Sequence, residues 1–323
     1  MRDISRPQVI AIEEHYMDDA VDAFTGRAGG GPPAIREKLA DMGEMRLREM
    51  DEAGIDIQVL SHCPPGAQVF DPADAAGQAR AVNDRLSDFV NGKPDRFAAF
   101  AALPTRDPKA AARELERCVG DLGFKGAMIH GLTEGQFHDE DRFWPIFERA
   151  AALDVPVYVH PGFPHPEVVK LYYGKYAEKY PPIAQAGWGF TVETATAGIR
   201  LILSGVFDKY PNLKIILGHL GEGLPFLLWR INMAFETMGR PDVPAIRFRE
   251  TFCEHFHITT SGNFSDPALL CCIQELGVDR VLFSVDWPYV ANSPGTDWMD
   301  NLMLNREDKA KILNGNAKRL LRM

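Results

Sequence analysis

Val9-Ile10-Ala11-Ile12-Glu13-Glu14-His15 joins four apolar, β-prone residues to three that can bind a metal or move a proton. A strand should be apolar where it packs, so the change of character at Glu13 marks the end of the packed part. The same change recurs along the chain. Val157-Tyr158-Val159 runs into His160, Ile215-Ile216-Leu217-Gly218 into His219, and Val281-Leu282-Phe283-Ser284-Val285 into Asp286. Four further β-type runs complete the set: Ile57–Ser61, Phe97–Ala101, Ala127–His130 and His257–Ser261. A stretch of helical character follows each, which is the sequence form of a parallel sheet covered by helices. Eight such units in 323 residues fit an α/β fold of the closed (β/α)8 TIM-barrel type, a barrel of ~250 residues plus insertions, as one domain over 1–323.

Between the runs, segment 36–53 places Leu39, Met42, Met45, Leu47, Met50 and Ala53 at roughly helical spacing, and segment 306–322 does so with Ile312, Leu313, Leu320 and Leu321. Asp-Pro pairs at 107–108 and 266–267 put proline near a helix start, where its missing N–H costs little. Residues 16–35 and 161–187, rich in Gly and Pro or in Pro, are too long for plain connections and should form long loops over the C-terminal mouth.

Composition excludes several function classes. No apolar run approaches the ~20 residues a membrane helix needs, and the N-terminal apolar run is too short for a secretory signal, so a cytoplasmic protein is expected. Five cysteines without a CxxC spacing suggest neither disulfides nor a zinc knuckle. A net charge of −10 with scattered Lys and Arg argues against nucleic acid, while leaving room for an anionic substrate held by a few placed cations.

Strand C-termini are where barrel enzymes keep their chemistry. Alternation puts Glu13 and His15 on one side of the first strand, with Glu14 pointing away. Glu13, His15, His160 and Asp286 supply two imidazoles and two carboxylates from separate strands, a donor set suited to one divalent ion such as Zn²⁺, Mn²⁺ or Fe²⁺. In Gly218-His219-Leu220-Gly221-Glu222-Gly223-Leu224-Pro225 the glycines permit a tight turn that lets His219 and Glu222 share a proton. Arg230 follows the apolar helical face Leu224, Phe226, Leu227, Leu228, which suits a contact surface. Trp188, Phe190 and Trp287 are candidate walls of an aromatic pocket. The remaining histidines, His62, His138, His165, His255 and His257, are expected mostly on the surface or behind the ligands.

Glu13-x-His15, Val159-His160-Pro161, the 217–225 segment, Ile258-Thr259-Thr260-Ser261-Gly262-Asn263-Phe264 and Leu282-Phe283-Ser284-Val285-Asp286-Trp287-Pro288 together resemble the decarboxylase branch of the amidohydrolase superfamily. The pattern is most similar to the γ-resorcylate (2,6-dihydroxybenzoate) decarboxylases and to those acting on 2,3-dihydroxybenzoate, 5-carboxyvanillate and aminocarboxymuconate semialdehyde. The resemblance implies non-oxidative loss of CO2 from a hydroxybenzoate-type acid. It makes Glu13, His15, His160 and Asp286 ligands of one Mn²⁺ or Zn²⁺ and His219 and Glu222 the proton-handling pair; Asp286, adjacent to both metal and substrate, is the candidate acid for protonating the ring carbon. Arg230 matches an arginine that reaches the neighbouring subunit's site, which implies a homodimer or homotetramer. Two positions bordering the pocket depart from the resorcylate pattern: His130 stands where those enzymes carry Asn, and Gly162 where they carry Arg, so His130 is expected to contact substrate. The competing readings are a mononuclear hydrolase (lactonase) on the same barrel and a non-enzymatic scaffold. The binuclear hydrolase form would need His-x-His in the first strand and a bridging Lys at the end of the fourth, where this chain has His130 and, near that strand's start, Lys125.

Overall fold

The computed structural model describes residues 6–25, 31–240, 242–243 and 245–323, so 26–30 of the first long connection lie outside the described residues. Its strands are β1 (Ile10–Tyr16), β2 (Ile57–His62), β3 (Phe97–Ala99), β4 (Ala101–Ala102), β5 (Ala127–His130), β6 (Pro156–His160), β7 (Lys214–Leu217), β8 (Phe256–Thr259) and β9 (Val281–Leu282). Every ladder is parallel, in the orders β1-β2-β3 and β4 through β9. The expected third strand is thus two short pieces. The break lies at Phe100, whose amide donates to Leu60 of β2 while that of Ala101 donates to Gly126, ahead of β5. One strand position hands its pairing from one neighbour to the next, and the eightfold barrel is kept.

The last strand stops at Leu282, four residues short of the expected Asp286. Beyond it the seam to β1 is closed by a side chain. The Glu14 carboxylate accepts from the Val285 amide at 3.0 Å, the Trp287 amide at 3.2 Å and the Ser284 hydroxyl at 3.0 Å, and the His15 amide donates to the Trp287 carbonyl at 2.7 Å. A carboxylate therefore satisfies backbone donors that a longer ladder would have paired.

Within the barrel, Ile10, Ile12, Val59, Phe100, Met128, Tyr158, Ile216 and Leu282 form one apolar cluster, with Ala317, Leu320 and Leu321 of the C-terminal helix packed into it. Val9 and Ala11 belong to the larger cluster between the sheet and the helices. On alternation alone Glu14 would follow Ile10 and Ile12 inward. The pairing of β1 with β2 instead shifts register between Ala11 and Glu14. This irregularity inverts the parity, so Glu13 and His15 turn into the barrel and Glu14 turns to the seam.

The helix expected over 36–53 is two, Pro33–Ala40 and Glu44–Ala53, because Asp41 Oδ1 accepts from the amides of Gly43 and Arg46 and so closes a turn between them. The 306–322 segment is helical in three joined pieces, Arg306–Ala310, Lys311–Gly315 and Asn316–Leu321. Asp107 caps the helix Pro108–Gly120 through the amides of Lys109 and Ala110, and Asp266–Leu276 begins at the second Asp-Pro pair. The 161–187 connection carries short helical turns (Pro166–Val168, Val169–Tyr173, Gly174–Ala177, Pro181–Ala184). Among the described residues no helix is long and apolar enough to cross a membrane.

Candidate metal centre and its proton-handling rim

Glu13 and His15 come from the end of β1, His160 from the end of β6, and Asp286 from the segment after β9. One ligand atom from each lies within 4.8 Å of all the others. His15 Nε2 stands 3.2 Å from Asp286 Oδ1, and His160 Nε2 stands 3.2 Å from Glu13 Oε1. Glu13 Oε1, His15 Nε2 and Asp286 Oδ1 are buried without a hydrogen bond. Buried polar atoms left unpaired are costly, and three of them converging from the end of β1 and the segment after β9 fit one divalent cation that would pair them together.

The other atoms of these ligands are held by the protein. Glu13 Oε2 accepts from the hydroxyls of Tyr158 and Ser261 and, at 3.1 Å, of Thr259, which leaves Oε1 free. His15 Nδ1 lies 3.3 Å from the Ser61 hydroxyl, and His160 Nδ1 lies 2.8 Å from the Pro161 carbonyl. Burial pushes the Glu13 carboxyl up, but the electrostatic pull of the neighbouring imidazoles, that of His219 first, outweighs it and holds the group well below the usual carboxylate range. The sequence reading missed Tyr158, Thr259 and Ser261. Alternation could have found them, since Tyr158 is two residues before His160 on the same face and Thr259 and Ser261 are themselves two apart.

His219 lies beyond β7, in a turn where His219, Leu220 and Glu222 have φ of 50°, 57° and 54°, interleaved with Gly221 and Gly223 at 75° and 76°. Left-handed conformations at three non-glycine positions cost of order 1 kcal/mol or more each, so packing must enforce them. The result brings His219 Nδ1 to 2.7 Å from Glu222 Oε1 and His219 Nε2 to 3.7 Å from Asp286 Oδ2. Burial disfavours the imidazolium, but the Glu222 and Glu13 charges and the contacts with Asp286 and Glu222 raise its pKa well above the ordinary histidine value. His219 and Asp286 keep 22% and 14% of their side chains exposed, so this edge of the site is the one a substrate can reach. Asp286, with φ of 77°, faces the ligand group with one oxygen and His219 with the other.

The remaining expected site residues divide. His130, at the end of β5, is buried against His160 with their Nδ1 atoms 3.1 Å apart. Trp287 has no exposed surface, donates to Glu49 at 2.7 Å and carries the Arg46 guanidinium 4.0 Å over its ring. It supports the Asp286 segment from behind and is not an accessible pocket wall. The side chain next to the ligands at the open edge is Tyr289, half-exposed, its ring 5.6 Å from that of His15. Phe190, in the first turn of the helix Gly189–Leu203, packs edge-to-face at 5.4 Å on Phe163 of the connection after His160, and Trp188 is exposed. Arg230 lies on the outer face of the helix Leu224–Thr237 and is exposed, beside exposed Phe226, Leu227 and Trp229. Of the other histidines, His62, His138, His255 and His257 are buried, so of the two places expected for them the surface is not where most lie; His165 is half-exposed. Burial holds the first two at about 4 and His257 at about 3, so a neutral imidazole can serve as an ordinary core residue there. Arg46 is fully buried and binds the His15 carbonyl and Gln58, whose amide in turn donates to Glu14 at 3.4 Å. Burial pushes the Glu14 carboxyl up to about 8 despite its donors.

A parallel barrel with a buried Glu/His/His/Asp group at its C-terminal end and an imidazole–carboxylate pair on the rim defines a metal-dependent barrel enzyme. Comparison with known proteins narrows the class: the family described as "Amidohydrolase" matches residues 11–323, and the chain belongs to it, in its decarboxylase branch. It is 43% identical to a γ-resorcylate decarboxylase of a Polaromonas species, over 97% of this chain and 98% of that protein. A solved dihydroxybenzoic acid decarboxylase from Polaromonas, holding manganese and the inhibitor 2-nitroresorcinol, superposes with a TM-score of 0.89 at 42% identity, covering 98% of this chain and 97% of that one. A 2,6-dihydroxybenzoate decarboxylase solved with 2,6-dihydroxybenzoate gives a TM-score of 0.89 at 39% identity, covering 98% and 100%.

Proposed function

We propose that this protein removes CO2, without an oxidant, from a hydroxylated aromatic carboxylate of the γ-resorcylate type. One observation carries the reading: Asp286 turns one carboxylate oxygen to the metal ligands and the other to the His219–Glu222 pair, so one residue joins the ion's site to a proton supply. Glu13, His15, His160 and Asp286 would hold the ion. A donor set of two imidazoles and two carboxylates accepts Mn²⁺ or Zn²⁺, and the manganese of the Polaromonas relative favours Mn²⁺. When bound, the ion supplies Lewis-acid charge for an ortho hydroxyl and the carboxylate of the substrate.

The costly step is protonation of the ring carbon that bears the carboxylate, because it interrupts aromaticity. Asp286, as the carboxylic acid, donates that proton to the ring carbon. The bond from ring to carboxylate then breaks, its electron pair restores the aromatic ring, and CO2 leaves. His219 returns a proton to the Asp286 carboxylate from Nε2, while Glu222 on Nδ1 fixes the ring and stabilises its charge. The net proton comes from water. Phe163 on the connection that follows His160, with Trp188 and Phe190 at the start of the helix Gly189–Leu203, would cover the aromatic substrate and thin out water around it.

The exposed Phe226, Leu227 and Trp229 around Arg230 support association of like chains through the helix Leu224–Thr237, with Arg230 reaching a neighbour's substrate. Five free cysteines accord with a reducing, cytoplasmic compartment. The test is a panel of hydroxybenzoates and methoxy-hydroxybenzoates, with CO2 release and loss of ultraviolet absorbance followed on manganese-loaded protein, beside a panel of lactones. Turnover of lactones with no CO2 from any aromatic acid would replace this reading with a hydrolase.

A further inference from the structure

β5 and β6 pair in register to their last residues, His130 opposite His160, and the two imidazoles meet edge to face with centroids 4.9 Å apart. The backbones meet just beyond: a Cβ on Gly131 would lie 2.7 Å from Gly162 Cα, and one on Gly162 would lie 2.8 Å from Gly131 Cα. Neither position can carry a side chain without moving the other strand end. The rings are therefore fixed against each other by the backbone beneath them.

Their Nδ1 atoms, 3.1 Å apart, are within hydrogen-bond distance, and between two neutral imidazoles one of the pair must carry the hydrogen and the other a lone pair. The Pro161 carbonyl decides which. His160 Nδ1 lies 2.8 Å from the Pro161 carbonyl, which only accepts, so the hydrogen sits on His160. With its Nδ1 turned to that hydrogen, the neutral His130 ring carries its own hydrogen on Nε2. His130 Nδ1 is then a lone pair facing the Nδ1–H of His160. The consequence falls on the far side of His160, where Nε2 is left without hydrogen, 3.2 Å from Glu13 Oε1 and directed into the ligand group.

We infer that His130 is a positioning residue for the metal centre: together with the Pro161 carbonyl it holds His160 in the Nδ1–H tautomer and so presents the Nε2 lone pair to the ion. This rests on the four-ligand reading of the site and departs from the expectation that His130 meets substrate. Partners of this kind typically alter metal affinity 10- to 100-fold, and because the Pro161 carbonyl remains, the effect of losing His130 belongs at the lower end.

Two measurements test it. In zinc-loaded, histidine-¹⁵N-labelled wild-type protein, with the ring signals assigned by through-bond and nuclear Overhauser contacts, His130 should carry its hydrogen on Nε2 and His160 on Nδ1; hydrogen on His130 Nδ1 overturns the inference even if no substituted protein folds. Calorimetric titration of Mn²⁺ into chelator-stripped protein should show about tenfold weaker binding for His130→Leu, which has no acceptor, and binding within about threefold of wild type for His130→Asn, whose amide oxygen accepts. Wild-type affinity in a folded His130→Leu protein also overturns it. His160→Ala in the same titration separates the two readings: Mn²⁺ retained there refutes the four-ligand site, whereas Mn²⁺ lost there but unweakened in His130→Leu removes the role of His130 alone.

Discussion

Replacing Asp286 by Asn separates metal binding from proton delivery, because the two carboxylate oxygens do different work. Oδ1 lies 3.2 Å from His15 Nε2 among the ligands, and an asparagine oxygen can keep that place with less charge. Oδ2 lies 3.7 Å from His219 Nε2, and there the substitution leaves an amide NH2 that has no acidic proton to give and cannot be recharged by the imidazole. Metal binding should therefore weaken but persist, while the chemical step loses its acid. General acid catalysis contributes typically about 10²- to 10⁴-fold, so the single-turnover rate should fall by that factor, about 3 to 5 kcal/mol of barrier. The assay is one preparation measured three ways: metal content by elemental analysis, affinity for a non-reacting nitrophenol analogue, and the rate of one turnover with enzyme in excess. His219→Asn, measured alongside, should slow the return of the proton. If Asp286→Asn retains metal and analogue binding and still turns over within about tenfold of wild type, roughly 1.4 kcal/mol, then Asp286 is not the proton donor and the role passes to His219.

The other expectations concern the ligands, the subunit contact and the core. His160→Ala should lose the ion and all activity while circular dichroism and the melting profile stay close to those of wild type, because the apolar barrel interior does not depend on the metal; an unfolded variant would mark the site as structural. Arg230→Ala should lower kcat/KM by about 1.5–3 kcal/mol, the range for a hydrogen bond to a charged group, and a mixed oligomer with a His160→Ala subunit should regain activity if sites are shared. Tyr158→Phe removes one of three hydroxyl donors to Glu13 Oε2, which should cost about 1–3 kcal/mol in urea unfolding; an unchanged midpoint would mean that this oxygen is satisfied without it. His138 is buried on Thr133, and burial with the nearby Arg142 charge lowers its pKa to about 4. Its unfolded form titrates near 6.5 and binds the proton first, so stability is whole above pH ~6.5 and falls as pH drops towards 4, by up to about 3 kcal/mol from this residue. His138→Phe should flatten the fall, and an unchanged difference in stability between pH 7 and pH 5 would rule His138 out as its source.

What the sequence determined by itself was the list of strand ends and the chemistry they carry. Packed barrel strands are apolar, so a Glu, His or Asp appended to one is visible without coordinates, and Glu13, His15, His160 and Asp286 stand together at the end of the barrel as that pattern requires. The 218–225 segment likewise announced a tight turn, and the turn does join His219 to Glu222. Tertiary structure decided the rest, because it depends on partners distant in the chain. Alternation counted from Ile10 and Ile12 would bring Glu14 inward, and only the register shift against β2 places Glu13 there and sends Glu14 to seal the seam, 271 residues away in sequence at Val285. Trp287 looked like a pocket wall until Arg46 and Glu49, from a helix after the first connection, were seen to bury it. His130 belongs to the same class: its sequence neighbours say nothing of His160, and only the in-register pairing of two strand ends turns one imidazole's lone pair onto the other's hydrogen.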